Sequence, residues 1–169
     1  MPSTSTGKRN AVNHPAENPS LAPLDFAVRV ACPPARAFEY FTRDIHEWWP
    51  LGRFSVAQED ARGVVVEPFV GGRVYETDKA GNTHEWGVVR EWLPPGRVVL
   101  SWHPGRPAEQ AMWVAVTFTA ERDHTLVQLS HGGWEAVGSG AGRARDNYKG
   151  GWLTVLDGHF EKFVRKMGA

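Results

Sequence analysis

Between Arg62 and Trp134 the chain is a succession of short runs rich in β-branched and aromatic residues: ARGVVVEPF, GGRVYETD, AGNTHEWGVVREW, PPGRVVLSWH, AMWVAVTFTAE and HTLVQLSHGGW. Gly71-Gly72, Ala80-Gly81-Asn82, Pro94-Pro95-Gly96 and Glu121-Arg122-Asp123 stand between them. Such residues reverse a chain at low steric cost, so consecutive runs are expected to pair antiparallel as a meander. Side-chain parity assigns the covered face where one face is plainly apolar. Met112, Val114, Val116 and Phe118 share one side of their run, and Thr125, Val127, Leu129 and His131 share one side of the next. The run from Thr83 to Trp92 has two competing faces, and a bulge at Gly87 would exchange them partway.

An antiparallel sheet with one apolar face needs a cover, and the flanking segments supply helices for it. Leu24, Phe26, Val28 and Val30 alternate with Asp25, Ala27 and Arg29 as a first strand. Cys32-Pro33-Pro34 ends that strand and starts a helix to about Thr42, because proline suits a first helical turn and holds its predecessor extended. Phe38, Phe41 and Ile45 recur at helical spacing, and Trp48-Trp49-Pro50 closes a second short helix. After Gly138-Ser139-Gly140-Ala141-Gly142 the helical period returns, with Tyr148, Trp152, Val155, Leu156, His159, Phe160 and Phe163 as one stripe. Gly150-Gly151 inside it costs roughly 1 kcal/mol per glycine, so fraying or a kink is expected in the first turns. The pattern describes one α+β domain over residues 23–169. It is a curved antiparallel sheet of about seven strands wrapped around a long C-terminal helix, with two short helices after the first strand. Residues 1–22 carry almost no bulky apolar side chain and are expected to form a disordered polar tail.

Charge narrows the class of partner. Lys+Arg and Asp+Glu both total 19, so no net field draws the chain to nucleic acid. No apolar run reaches the length of a membrane span, and the N-terminus lacks a secretory signal's hydrophobic centre, so a cytoplasmic protein without membrane insertion is expected. The single cysteine agrees with a reducing compartment. Eight tryptophans are the compositional anomaly. They imply either a heavily aromatic core or an aromatic-lined cavity.

The segments PPARAFEYFTRDIHEWWP, VEPFVGGRVYE, WGVVREWLPPGRVVLSW, VTFTAERDHTLVQLSHGGW and YKGGWLTVLDGHFEKF resemble bacterial homologues of the activator of heat shock protein 90 ATPase. That family lies in the START-like, SRPBCC superfamily that includes the birch-pollen allergen. The resemblance covers about residues 24–166 and implies a helix-grip fold with a cavity that relatives use for lipids, polyketides and other hydrophobic metabolites. It carries over Gly71-Gly72-Arg73, Pro94-Pro95, Trp102, His131 and Gly151-Trp152, and brings no shared catalytic set. The eukaryotic activator has an additional N-terminal domain where this chain has a polar tail, which argues against chaperone contact.

Binding of a small hydrophobic or aromatic molecule, without catalysis, follows as the expected function. An enzyme of cyclase or hydrolase type in the same cavity and a chaperone co-factor are the alternatives. The site is expected between the concave sheet and the terminal helix, with Trp86, Trp102 and His131 offered by strands. Trp49 and Trp134 are placed near its mouth, and Tyr148, Trp152 and His159 on the helix side. His131 reads either as a polar anchor or as a satisfied core histidine, and the tryptophans either line the space or fill it. No histidine stands in a metal-ligand spacing, and no metal or cofactor is implied. Cys32 has nothing beside it in sequence to lower its pKa, and the Gly138–Gly142 stretch fits neither nucleotide-binding template. A homodimer is left open.

Overall fold

The computed structural model describes residues 21–169. The expected tail, as far as residue 20, lies outside them. Leu21 packs on the core, and the Ala22 carbonyl accepts a hydrogen bond from Arg145 Nε at 2.6 Å.

The elements follow in the order β1 (Leu24–Val30), α1 (Pro34–Thr42), α2 (Ile45–Trp48), β2 (Ala61–Val66), β3 (Arg73–Asp78), β4 (Thr83–Leu93), β5 (Arg97–Trp102), β6 (Met112–Glu121) and β7 (His124–Gly132). The C-terminal helix comprises α3 (Ala141–Val155), a π-helical turn (Leu156–Phe160) and α4 (Glu161–Met167). The seven-stranded sheet runs β1-β7-β6-β5-β4-β3-β2 with every neighbouring pair antiparallel. The meander expected from the turn signals is therefore present from β2 to β7, and β1 returns to lie beside β7.

Strand β4 shows how the sequence bends the sheet. Its register against β3 slips so that Val74 faces Gly87 while Tyr75 faces Glu85, which leaves Trp86 as the extra residue of a bulge. Trp86 from one candidate face and Val89 from the other are both buried as a result. Gly87, at φ +157°, is required here because a Cβ would overlap the Ser101 carbonyl of β5. Curling of this kind lets the sheet close around a helix.

The helix buries Trp152, Val155, Leu156, Phe160 and Val164 against the sheet. Phe41 of α1 and Trp48 of α2 meet Phe160 with ring centroids 5.2 Å and 4.9 Å apart, so the short helices brace its far half. Contrary to the expected fraying, α3 is continuous across Gly150 and Gly151. Tertiary packing of Trp152 holds the turns that glycine propensity would weaken. The irregularity falls instead at the π turn.

Gly87→Ala is expected to lower the unfolding free energy by about 3 kcal/mol. Gly150→Ala, at an exposed helical position with open space around it, is expected to raise it by about 0.5–1 kcal/mol. Urea unfolding of the two variants measures both signs, and equal effects would contradict the close approach assigned to Gly87.

Candidate functional site

Four indoles occupy the grip itself. Trp49 after α2, Trp86 of β4, Trp102 of β5 and Trp152 of α3 form a chain of contacts. Centroid distances are 5.0 Å for Trp49–Trp86, 5.3 Å for Trp86–Trp102 and 5.6 Å for Trp102–Trp152. A second aromatic group stands beside it, with His131 4.3 Å from Trp134 and 4.5 Å from Tyr148. Trp152 Nε1 donates to His131 Nδ1 at 2.8 Å and joins the two. The void remaining between Trp49, Trp102, Trp152, Phe41, Ile45, Val98 and Leu100 is about 10 Å³, room for one water at most.

Open space lies at the mouth. A cavity of about 410 Å³ has Trp49, Trp102 and Trp152 as its floor, Tyr148, Gly151 and Val155 as its helix side, and Arg53, Phe54, Ser55 and Val56 as its outer wall. Filling and lining thus divide the tryptophans by depth. The outer wall belongs to an irregular loop with no backbone ladder, and it is held by Glu76 of β3, whose side chain is fully buried. Glu76 Oε2 accepts from Val56 N at 2.8 Å and from Trp86 Nε1 at 2.8 Å, and Oε1 accepts from Ala57 N at 2.6 Å. Trp49 Nε1 adds a bond to the Phe54 carbonyl at 3.1 Å. Gln58, at the rim, has φ +50°, a conformation that non-glycine residues take at some energetic expense.

Trp49, Trp102, Tyr148 and Trp152 therefore come together around the cavity. Trp86, His131 and Trp134 are fully buried in the layer beneath it. His159 is half-buried on the π turn, seven residues past Trp152, which is about 10 Å farther along the axis. Helical period alone put it on the stripe, but the cavity covers only the Asn147–Val155 part of the helix. The contributions of Glu76 and of the Arg53–Val56 wall were missed. Glu76 shares inward parity with Val74, so a carboxylate on a covered face was the available signal; the loop has no period to read.

Arg53 and the indoles of the wall only donate, while Ser55, Gln58, Asn147 and Tyr148 can donate or accept. Ser55 Oγ and Trp102 Nε1 are buried without a hydrogen-bond partner, as are His131 Nε2 and Trp134 Nε1 in the sealed layer. Burial pushes the Tyr148 phenol up, partly opposed by the Trp102 indole and Arg106, so it stays protonated at neutral pH. Burial also holds His131 down to about 3, and its bond from Trp152 makes Nδ1 the acceptor, leaving the proton on Nε2. Cys32 is half-buried, with its thiol pushed up by burial and partly opposed by Arg36, which removes thiolate character. Among the described residues no group of three His, Cys, Asp or Glu is placed to hold a metal, and no helix is long and apolar enough to cross a membrane.

A second opening, of about 550 Å³, lies between α1 and the edge strand β2 against Phe38, Val64, Val66 and Trp92. It is larger, yet its polar side chains are already engaged: Arg43 with Asp44 and Glu39, His46 with Glu47, and Thr42 with the Phe38 carbonyl. Unmatched polar atoms favour the mouth cavity as the site.

The His131 ring protonates near 6.5 in the unfolded chain but only near 3 in the fold. Its contribution is complete above about pH 6.5 and is lost as pH falls, at about 1.4 kcal/mol per unit. Urea unfolding from pH 7 to pH 4.5 is expected to show this slope in the wild type and a flatter one in His131→Asn. Asp44 and Asp78, both lowered from the usual carboxylate range, lose their contribution only below that window. An unchanged slope in the variant would contradict the buried neutral ring.

A family model described as Activator of Hsp90 ATPase homolog 1-like protein matches residues 31–164. No curated protein matches. Among solved structures, the anthrahydroquino-gamma-pyrone synthase Txn09 is 31% identical over 73% of this chain and 84% of its own, with a TM-score of 0.53. CalC, a self-sacrificing resistance protein from Micromonospora echinospora, is 25% identical over 89% and 98%, with a TM-score of 0.64. The Aha1 dimer from Colwellia psychrerythraea is 15% identical over 79% and 90%, with a TM-score of 0.55, and shares the fold.

Proposed function

The chain belongs to the Activator of Hsp90 ATPase homolog 1-like family, and on that premise we propose that it binds a small, planar, largely apolar molecule in its mouth cavity. The observation that carries this is an indole-floored space of about 410 Å³, within the size range of small-molecule sites. Rigid indole faces supply contact area at little entropic cost. Trp49, Trp102, Tyr148 and Trp152 are its contact residues in this proposal, with Trp86, His131 and Trp134 as the packed layer behind the floor.

The synthase named Txn09, at 31% identity, supports a second assignment, an enzyme that acts on an aromatic substrate in the same cavity. Tyr148 would then be the proton donor, since its phenol is protonated and borders the space. Recovery of a bound compound unchanged after incubation separates binding from turnover. A cytoplasmic setting, where Cys32 stays a thiol, belongs to the same proposal.

Titration with fluorene, a planar hydrocarbon, is expected to quench tryptophan emission in a saturable, one-to-one manner. Gly151→Leu should abolish that response with little change in unfolding free energy. A Cβ at Gly151 already stands 3.3 Å from Phe54 Cε1, so the longer side chain has to extend into the cavity. No saturable change with fluorene or its ketone 9-fluorenone in the wild type would overturn the proposal.

A further inference from the structure

Of the buried indoles, Trp48, Trp49, Trp86 and Trp152 each donate to an acceptor: the Tyr40 carbonyl at 2.7 Å, the Phe54 carbonyl at 3.1 Å, Glu76 at 2.8 Å and His131 at 2.8 Å. Trp102 breaks that pattern. It is 3% exposed, its Nε1 stands near the Tyr148 hydroxyl without making a hydrogen bond of proper geometry, and it borders the mouth cavity. Trp134 Nε1 is equally unpaired but lies in the sealed layer, where no ligand reaches it. An indole N–H donates and never accepts, so whatever completes Trp102 must bring an acceptor.

The surroundings point the same way. Ser55 Oγ, buried without a partner, is in the wall of the same space. Tyr148 offers its hydroxyl close to the Trp102 indole. Arg53 is the charged residue in the lining, which contains no Asp or Glu. An ammonium or amidinium ligand would meet the Arg53 guanidinium with no carboxylate to receive it and would leave the Trp102 N–H unpaired, whereas an oxygen with lone pairs would complete that donor.

We infer that the occupant of the mouth cavity is a planar aromatic compound carrying an acceptor oxygen, a ketone, quinone or phenolate, hydrogen-bonded by Trp102 Nε1. This rests on the binding function proposed above. Trp102 then serves both as an apolar floor and as a polar anchor, and orients the ligand by fixing one oxygen at the floor. The helix side carries the matching contact, because Tyr148 is the nearest hydroxyl to that indole on α3.

Fluorene and 9-fluorenone have nearly the same shape and differ by the carbonyl, so their affinity ratio isolates the anchor. The wild type is expected to bind 9-fluorenone about tenfold or more tightly than fluorene, as one well-placed hydrogen bond gives. Trp102→Phe should bring the ratio close to one, whatever change both probes share. If that variant does not fold, the wild type still decides: the Trp102 indole N–H resonance in a ¹H–¹⁵N spectrum should move downfield with 9-fluorenone and much less with fluorene. Equal affinities with no selective indole shift would overturn the anchor while leaving the cavity function intact. Failure of both probes to bind would overturn the cavity function, and the anchor with it.

Discussion

The candidate site depends on one buried carboxylate. Glu76 projects from β3 into the interior, where an acceptor without donors is costly, and it meets two loop amides and the Trp86 indole. Those bonds satisfy the carboxylate and, by the same contacts, fasten an irregular loop to a strand. Without them the Arg53–Val56 segment has no ladder to hold it, and the mouth cavity loses its outer wall. A structural requirement of the core and a geometric requirement of the site are met by the same atoms.

Eight indoles in one domain create a similar accounting problem, because each brings a large apolar surface and one N–H. Carbonyls, Glu76 and His131 answer four of the buried ones. His131 is the informative partner. As an acceptor for Trp152 in a fully buried position it must stay neutral, so it is bound into the packing of the terminal helix. Polar anchoring of a ligand then has to come from groups higher in the cavity, which is where the unpaired Trp102 and Ser55 atoms are found.

Much of the fold was legible because parity and turn chemistry are local. The meander, the proline-started first helix and the face exchange at Gly87 each follow from a few adjacent residues. The site was legible only in outline. Parity identifies His131 as inward-facing, and Trp86 and Trp102 were only expected to be offered by their strands, but neither reading gives depth, and depth decides that Trp102 borders open space while the other two are sealed. His159 shares the stripe of Trp152, yet the cavity ends before the helix reaches it. The wall loop was invisible, since its position is set by a contact between Val56 and Glu76 across twenty residues.

A grip filled by tryptophan also restricts how such a protein changes its ligand. Interiors are packed to near-crystal density, so enlarging the cavity downward means replacing indoles whose N–H groups satisfy one another's neighbours. Substitutions at the Arg53–Val56 wall, Gly105 or Gly151 alter the space without touching that network. Loop residues tolerate exchange better than core residues do. Under the proposed binding function, selectivity would therefore reside in the rim and in the single unpaired indole of the floor, while the indoles beneath hold the fold that presents them.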